Sequence, residues 1–187
     1  AASLITRDLR EIGARLRHLL QYVSTNPGLG LLYRQAKDPD VVSSLTTFAD
    51  ASFAPDGGKS HGGHIILAVH GEVSHLVSWH SSKEQLTALS SAEAEMLALA
   101  DSYKATANFR LLHQEVTGPV RPLLRCDNQA TLAMLDNPQW RTRHVSIRGE
   151  RLREEISEGQ IVVTYVQSSL QLADPFTKAT PQAINQR

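Results

Sequence analysis

Three carboxylates in this chain stand at the boundaries of elements, and a fourth lies inside an apolar run. Asp50 closes the run VVSSLTTFAD, Asp127 follows PLLRC, and Asp174 sits in LADPF after the last apolar run. Glu95 belongs to TALSSAEAEMLALADS (87–102), separated from Glu93 by one alanine in an otherwise apolar stretch. Burying a carboxylate is costly unless it is paired or bound to a metal. At about 100° per residue, Glu93, Asp101, Lys104 and Asn108 fall within roughly 80° of one another, and Glu95 falls about 160–200° away with Leu99, Ser102, Thr106 and Phe109. The first face, which Leu97 shares, reads as the solvent face; the second points Glu95 at a sheet. Ser90-Ser91-Ala92-Glu93 also fits a capping box, with Ser90 as N-cap and Glu93 reaching back to the N-cap backbone. Acids that converge cannot crowd together without cations. Oxygen-only donors favour hard ions, chiefly Mg²⁺ or Mn²⁺. No Cys/His spacing suits zinc. Taken singly, each acid also reads as a cap or turn residue, and a glutamate at a helix start also reaches solvent.

The elements that must position these acids follow from the pattern of apolar residues. Leu4, Ile5, Leu9, Ile12, Leu16, Leu19, Leu20 and Val23 have helical spacing, so residues 4–23 are expected to form a helix, ended at Asn26-Pro27-Gly28. Residues 30–33 (GLLY) read as a short strand-like run, and 34–41 as a polar linker. From there the expected order is β-β-β-α-β-α-α-β-α. The first strand covers 41–50, and a turn-rich loop holds Pro55, Gly57, Gly58, Gly62 and Gly63. GHIILAVHG and HLVSWHS pair around Gly71-Glu72. A long helix runs from about Ser90 to Glu115 and stops at Thr117-Gly118-Pro119. RPLLRC is a strand, NQATLAMLD a short helix, SIRGERLREEISEG a charged surface helix, QIVVTYVQ the last strand, and LQLADPFTK holds a final short helix. Asp174, before Pro175, is expected as the N-cap of that helix with Pro175 at N1. Asp50 and Asp127 then end strands, where open α/β sheets build their sites.

Composition bounds the rest. The 187 residues suit one domain with a core, or one domain plus an appendage. Lys+Arg and Asp+Glu both number 19, so no global charge draws the chain to nucleic acid or membrane. One cysteine, Cys126, excludes an internal disulfide and suits a reducing compartment. No apolar run has the length of a membrane span, and the first residues lack a signal-peptide pattern. The start AASLITRDLREIG, without an initiator methionine, reads as a piece of a longer chain. Cys126 and Trp79 read as core residues. Trp140-Arg141-Thr142-Arg143-His144 reads equally as a phosphate contact or as a solvated loop with Trp140 in the core.

ADAS, LSSAEAEMLAL, CDNQATLAM, RTRHVSIR and YVQSSLQLADPFTK occur in that order between residues 45 and 179. In combination they resemble the ribonuclease H domain of copia-type long-terminal-repeat retrotransposon polyproteins. The resemblance implies an α/β ribonuclease H-like fold, a five-stranded mixed sheet flanked by helices, here with an N-terminal helical extension. It implies domains at 1–40 (the end of the reverse transcriptase connection region plus linker), 41–180 (ribonuclease H) and 181–187 (tail). RHLLQYVSTNPGLGLLYR resembles the end of that connection region. The implied activity is hydrolysis of the RNA strand of an RNA–DNA hybrid with two Mg²⁺ ions, Mn²⁺ able to substitute. The implied metal-binding and catalytic set is Asp50, Glu95, Asp127 and Asp174, with Asp50 bridging both ions. Glu95 and Asp127 would complete one ion's ligands and Asp174 the other's. Implied substrate contacts are Ser91, Asn128 and Gln129 at 2′-hydroxyls and Arg141 and Arg143 at phosphates; Asn128 reads equally as a helix cap. Implied partners are the hybrid and the reverse transcriptase polymerase and connection region, with no membrane, in an intracellular, cytoplasmic setting inside virus-like particles. Cellular and retroviral relatives place a histidine just before the last aspartate, and VQSSLQLAD has none. A basic handle of some cellular members is also missing. Two other functions fit the pattern less well: a catalytically weak or inactive tether, and another nuclease or transposase of the same superfamily.

Overall fold

The computed structural model describes residues 9–35, 37, 43–54, 57–138 and 140–178, with side chains from residue 12 onward. The chain divides into two compact units, 1–33 and 34–187. In the first, α1 spans Leu9–Thr25; residues 4–8 of the expected helix lie outside the described residues. Asn26 ends it, its side-chain amide donating to the Tyr22 carbonyl at 2.8 Å. Leu16, Leu19, Leu20 and Val23 are exposed. The run 30–33 is irregular and not a strand. A strand needs a neighbour to complete its ladder, and the sheet of the described residues holds none from this run.

The second unit is built on a sheet of order β3-β2-β1-β4-β5. β1 (Ser43–Ser52), β2 (His61–His70) and β3 (Val73–Lys83) are antiparallel, and β4 (Leu123–Cys126) and β5 (Val162–Tyr165) run parallel to β1. Residues 38–42, including the expected start of the first strand, lie outside the described residues. Among the described residues the helices are α2 (Ser91–Thr117), α3 (Gln129–Asp136), α4 (Arg143–Ser157) and α5 (Asp174–Thr177), with a 3₁₀ turn at Ser168–Leu170. β1 is the pivot: antiparallel to β2 on one side, parallel to β4 on the other. Its alternating side chains serve two layers. Thr47 meets Thr106 of α2 at 2.7 Å between hydroxyls. Phe48 turns the opposite way, into a cluster with Val166 and Ala173. The main core lies on the α2 side, around Met96, Leu97, Leu99, Leu124, Val145 and Leu152.

Several boundaries differ from the pattern reading, each for a packing reason. Gly62 and Gly63 fall inside β2, not in the loop. A Cβ at Gly63 would lie 2.7 Å from Phe176 Cβ and 3.0 Å from Thr177 Cγ2, and one at Gly62 would strike the Glu84 carboxylate. Glycine lets other elements press onto the strand there. α4 begins at Arg143, three residues before SIRGERLREEISEG, because the Ser146 amide bonds the Thr142 carbonyl at 3.0 Å. In α5 the N-cap is Ala173, and Asp174 is the first helical residue; the Phe176 amide bonds the Ala173 carbonyl at 2.9 Å, starting the turn one residue early. Trp79 is not core but 57% exposed, because β3 is the sheet edge. Glu93 is 1% exposed, although the wheel put it toward solvent. The stretch before α2 folds back over it, Leu89 donating its amide to Glu93 Oε2 at 2.8 Å, and α4 packs along the rest of that face. The capping box thus forms with a shift: Ser90 Oγ accepts from the Glu93 amide at 3.2 Å, but Glu93 reaches the residue before the N-cap.

Candidate active site

β1 and β4 are parallel neighbours, so their C-terminal ends open on the same side. Asp50 lies near the end of β1, and Asp127 follows the last residue of β4. α2 starts nearby and brings Glu95 from its second turn, on the inward face that the helical wheel selects. Asp50 is 0% and Glu95 7% exposed. One carboxylate oxygen from each of Asp50, Glu95 and Asp127 lies within 4.8 Å of the others. Three acids from three elements converge, among the described residues, with no histidine or cysteine in the group.

The electrostatics record that crowding. Burial, then the charges of Asp50 and Asp127, push the Glu95 carboxyl up to about 9. Glu95 Oε2 is buried with no hydrogen-bond partner. Burial also raises Asp50, against the opposing pull of the Thr177 hydroxyl and the Lys178 ammonium. Burial, then the charge of Glu95, pushes the neighbouring Cys126 thiol up to about 12, which marks it as an inert core sulfur.

Asp174 reaches this group through a cation. Lys178 Nζ lies 3.0 Å from Asp50 Oδ1 and 2.8 Å from Asp174 Oδ1. Burial lowers the Lys178 ammonium, but its hydrogen bonds and ion pairs with Asp174 and Asp50 outweigh that and raise it. Thr177 Oγ1 donates to Asp50 Oδ2. These contacts depend on Gly63, the register partner of Asp50, because α5 rests on its bare Cα. Thr177 and Lys178 escaped the sequence reading. The available signal was their place three and four residues after Asp174, on the helix face it shares.

The surroundings fix the other carboxylates. Asn128 is the N-cap of α3, its Oδ1 accepting from the Thr131 amide at 3.1 Å. The Asn128 amide donates to Cys126 Sγ at 3.4 Å, which closes the turn that carries Asp127. Thr131, fully buried, donates its hydroxyl to the Ala92 carbonyl at 3.0 Å and so ties α3 to the first turn of α2. Ser91 and Gln129, at the first positions of α2 and α3, are exposed, as are Arg141 and Arg143. Trp140 packs its ring over Gly149 and donates Nε1–H to Glu150 at 2.7 Å. His144 Nε2 pairs with the Thr87 carbonyl at 3.1 Å.

No family model matches the chain. It is homologous to a stretch of the Gag-Pol polyproteins of the Ty1-JR2 and Ty1-MR1 transposons of Saccharomyces cerevisiae, 28% identical over 168 residues in each case. The match covers 87% of this chain but spans only 9% of the length of either polyprotein. Among solved structures, the N-terminal RNase H domain of a Mycobacterium tuberculosis protein superposes with a TM-score of 0.52 at 13% identity, covering 76% of this chain and 96% of that one. LC11-RNase H1 bound to an RNA/DNA hybrid gives 0.52 at 11% identity, over 71% and 93%. The second unit therefore has the ribonuclease H fold: a five-stranded mixed sheet with flanking helices.

Proposed function

We propose that this chain is a metal-dependent ribonuclease H that hydrolyses the RNA strand of RNA–DNA hybrids, as one domain of a retrotransposon polyprotein. The observation that carries the proposal is the convergence of Asp50, Glu95 and Asp127 to within 4.8 Å, with Asp174 joined to Asp50 through Lys178. The homology to Ty1 polyproteins and the hybrid-bound LC11 relative support the substrate class.

The donor set fits divalent cations. It offers only oxygen atoms, and one of them, Glu95 Oε2, is buried without a partner. Asp50, Glu95 and Asp127 would hold one ion and Asp50 with Asp174 a second. When bound, such a pair, Mg²⁺ with Mn²⁺ as substitute, activates water and stabilises the leaving 3′ oxygen. The chain's own groups supply the rest. Thr177 and Lys178 orient the Asp50 carboxylate, and the Cys126–Asn128 and Thr131–Ala92 bonds hold Asp127 opposite Glu95. Asn128 Oδ1 is committed to its cap, so its side-chain N–H groups are the ones that can donate to a 2′-hydroxyl. Ser91 and Gln129 lie beside it as further minor-groove contacts, and Arg141 and Arg143 as phosphate contacts. In place of the histidine found in other members, Lys178 supplies a positive charge next to Asp174. The fitting partner is the polymerase and connection part of the same polyprotein, inside virus-like particles.

The test is a labelled RNA–DNA hybrid incubated with the protein in Mg²⁺, in Mn²⁺ and in EDTA. Cleavage of the RNA strand in either metal and none in EDTA is the expected result. A folded sample inert in both metals would favour the tether.

A further inference from the structure

We propose that Gln171 is a positioning residue that fixes the separation of Asp50 from Asp174. It lies between the 3₁₀ turn and α5 and is 3% exposed. Its side-chain Nε2 donates to the Ala49 carbonyl at 2.9 Å, and its Oε1 accepts from the Ala173 amide at 3.2 Å. Ala49 immediately precedes Asp50, and Ala173 immediately precedes Asp174. One buried side-chain amide therefore clips together the backbones that carry two carboxylates far apart in sequence.

The clip sits where β4 stops pairing with β1, while β2 stays paired with β1 as far as Ser52. The pairing of β1 with β4 ends at Phe48, opposite Arg125. The carbonyl of the next residue is the one that Gln171 engages, one residue beyond the last β4 partner and one before Asp50. α5 is only four residues long and has no side-chain hydrogen bond at its N-cap. Its height over Gly63 is set by contact with Phe176 and Thr177, and its other ties to the sheet are the Ser81 hydroxyl on the Phe176 carbonyl and the Thr177 and Lys178 side chains on Asp50, all through solvent-accessible side chains. A buried amide with both donor and acceptor engaged resists a slide of α5 along the strand, because moving strands one or both groups away from water. An apolar side chain of the same length would fill the space without fixing the register.

This role rests on the hydrolase reading and refines it, since it concerns how closely Asp50 and Asp174 can share an ion. The test uses the full chain with Gln171→Met, which keeps the length and loses the amide, and Gln171→Leu as a second apolar variant. The melting temperature is followed as Mg²⁺ and, separately, Mn²⁺ are titrated, alongside cleavage of the hybrid. Loss of an orienting partner costs about 10–100-fold in metal affinity, so the midpoint of the thermal shift is expected to move to higher metal by that factor. In an Asp174→Asn background the same change at Gln171 is expected to move the midpoint no further, since the two act as a unit. A folded variant with the parent's midpoint overturns the proposal, as does a shift equally large in the Asp174→Asn background. If Gln171→Met does not fold, Gln171→Leu decides on the same criteria. A parent that fails to cleave the hybrid, with the midpoints moving as stated, removes the hydrolase reading and leaves the clip standing.

Discussion

At the level of single residues, two glutamates separated by one alanine have opposite duties. Glu95 meets Asp50 and Asp127, while Glu93 closes the start of α2 through Leu89 and Ser90. Glu95→Gln is expected to abolish metal-dependent cleavage and leave the fold intact. Glu93→Gln is expected to cleave normally and lose about 0.5–2 kcal/mol of stability. Parallel cleavage assays and melting curves check both; activity lost in Glu93→Gln and kept in Glu95→Gln would reverse the assignment. The inward aim of Glu95 was legible because a helical wheel needs only local sequence. The burial of Glu93 was not, because a wheel knows nothing of the loop and helix that later cover a face. Leu97, apolar on the supposedly wet face and now 1% exposed, was the clue. Gln171, Thr177 and Lys178 were illegible for a different reason: they touch β1 residues more than a hundred positions away, at a spacing no periodicity encodes.

Among the elements, the order of strands and helices was readable from apolar spacing, and the boundaries failed where glycine serves packing. Gly62 and Gly63 looked like loop residues because a strand interior disfavours glycine, yet they are where Glu84 and α5 press on β2. Gly149 makes the same point in α4. Alanine is a better helix former than glycine by about 1 kcal/mol. A Cβ at Gly149 would meet the Trp140 ring atoms Cζ2 and Cζ3 at 2.5 and 2.7 Å. Overpacking of that kind costs typically about 1–3 kcal/mol, and a rigid indole bonded to Glu150 has little room to give. Gly149→Ala is therefore expected to destabilise the protein despite the propensity gain. A thermal or denaturant melt reads the sign, and a more stable variant would show that the indole moves aside freely.

For the molecule as a whole, buried groups outside the acid cluster add their own dependence of stability on pH. Glu84 is buried over Gly62, and burial, then the charge of Asp101, pushes its carboxyl up to about 7 against an ordinary 4.5; Arg148 opposes this. Between those values the folded protein holds a proton that the unfolded chain has released, so stability falls as pH rises from 4.5 to 7. One such group contributes about 1.4 kcal/mol per pH unit across that window. His64 acts with the opposite sign. Burial, then the charge of His80, lowers it to about 4 from 6.5, so stability falls as pH drops through that range. Glu84→Gln is expected to match the parent near pH 4 and to exceed it progressively up to pH 7, as read from denaturant melts at each pH. A constant offset would mean that Glu84 does not titrate in this window. On the proposed function, four carboxylates on a ribonuclease H fold hydrolyse RNA paired with DNA. The most direct measurement follows a 5′-labelled RNA strand in a hybrid, in duplex RNA and alone, with the protein in Mg²⁺ and in EDTA. Fragments ending in a 3′-hydroxyl are expected from the hybrid alone, and not in EDTA. Cleavage that persists in EDTA, or fragments ending in a 2′,3′-cyclic phosphate, would contradict the proposed function.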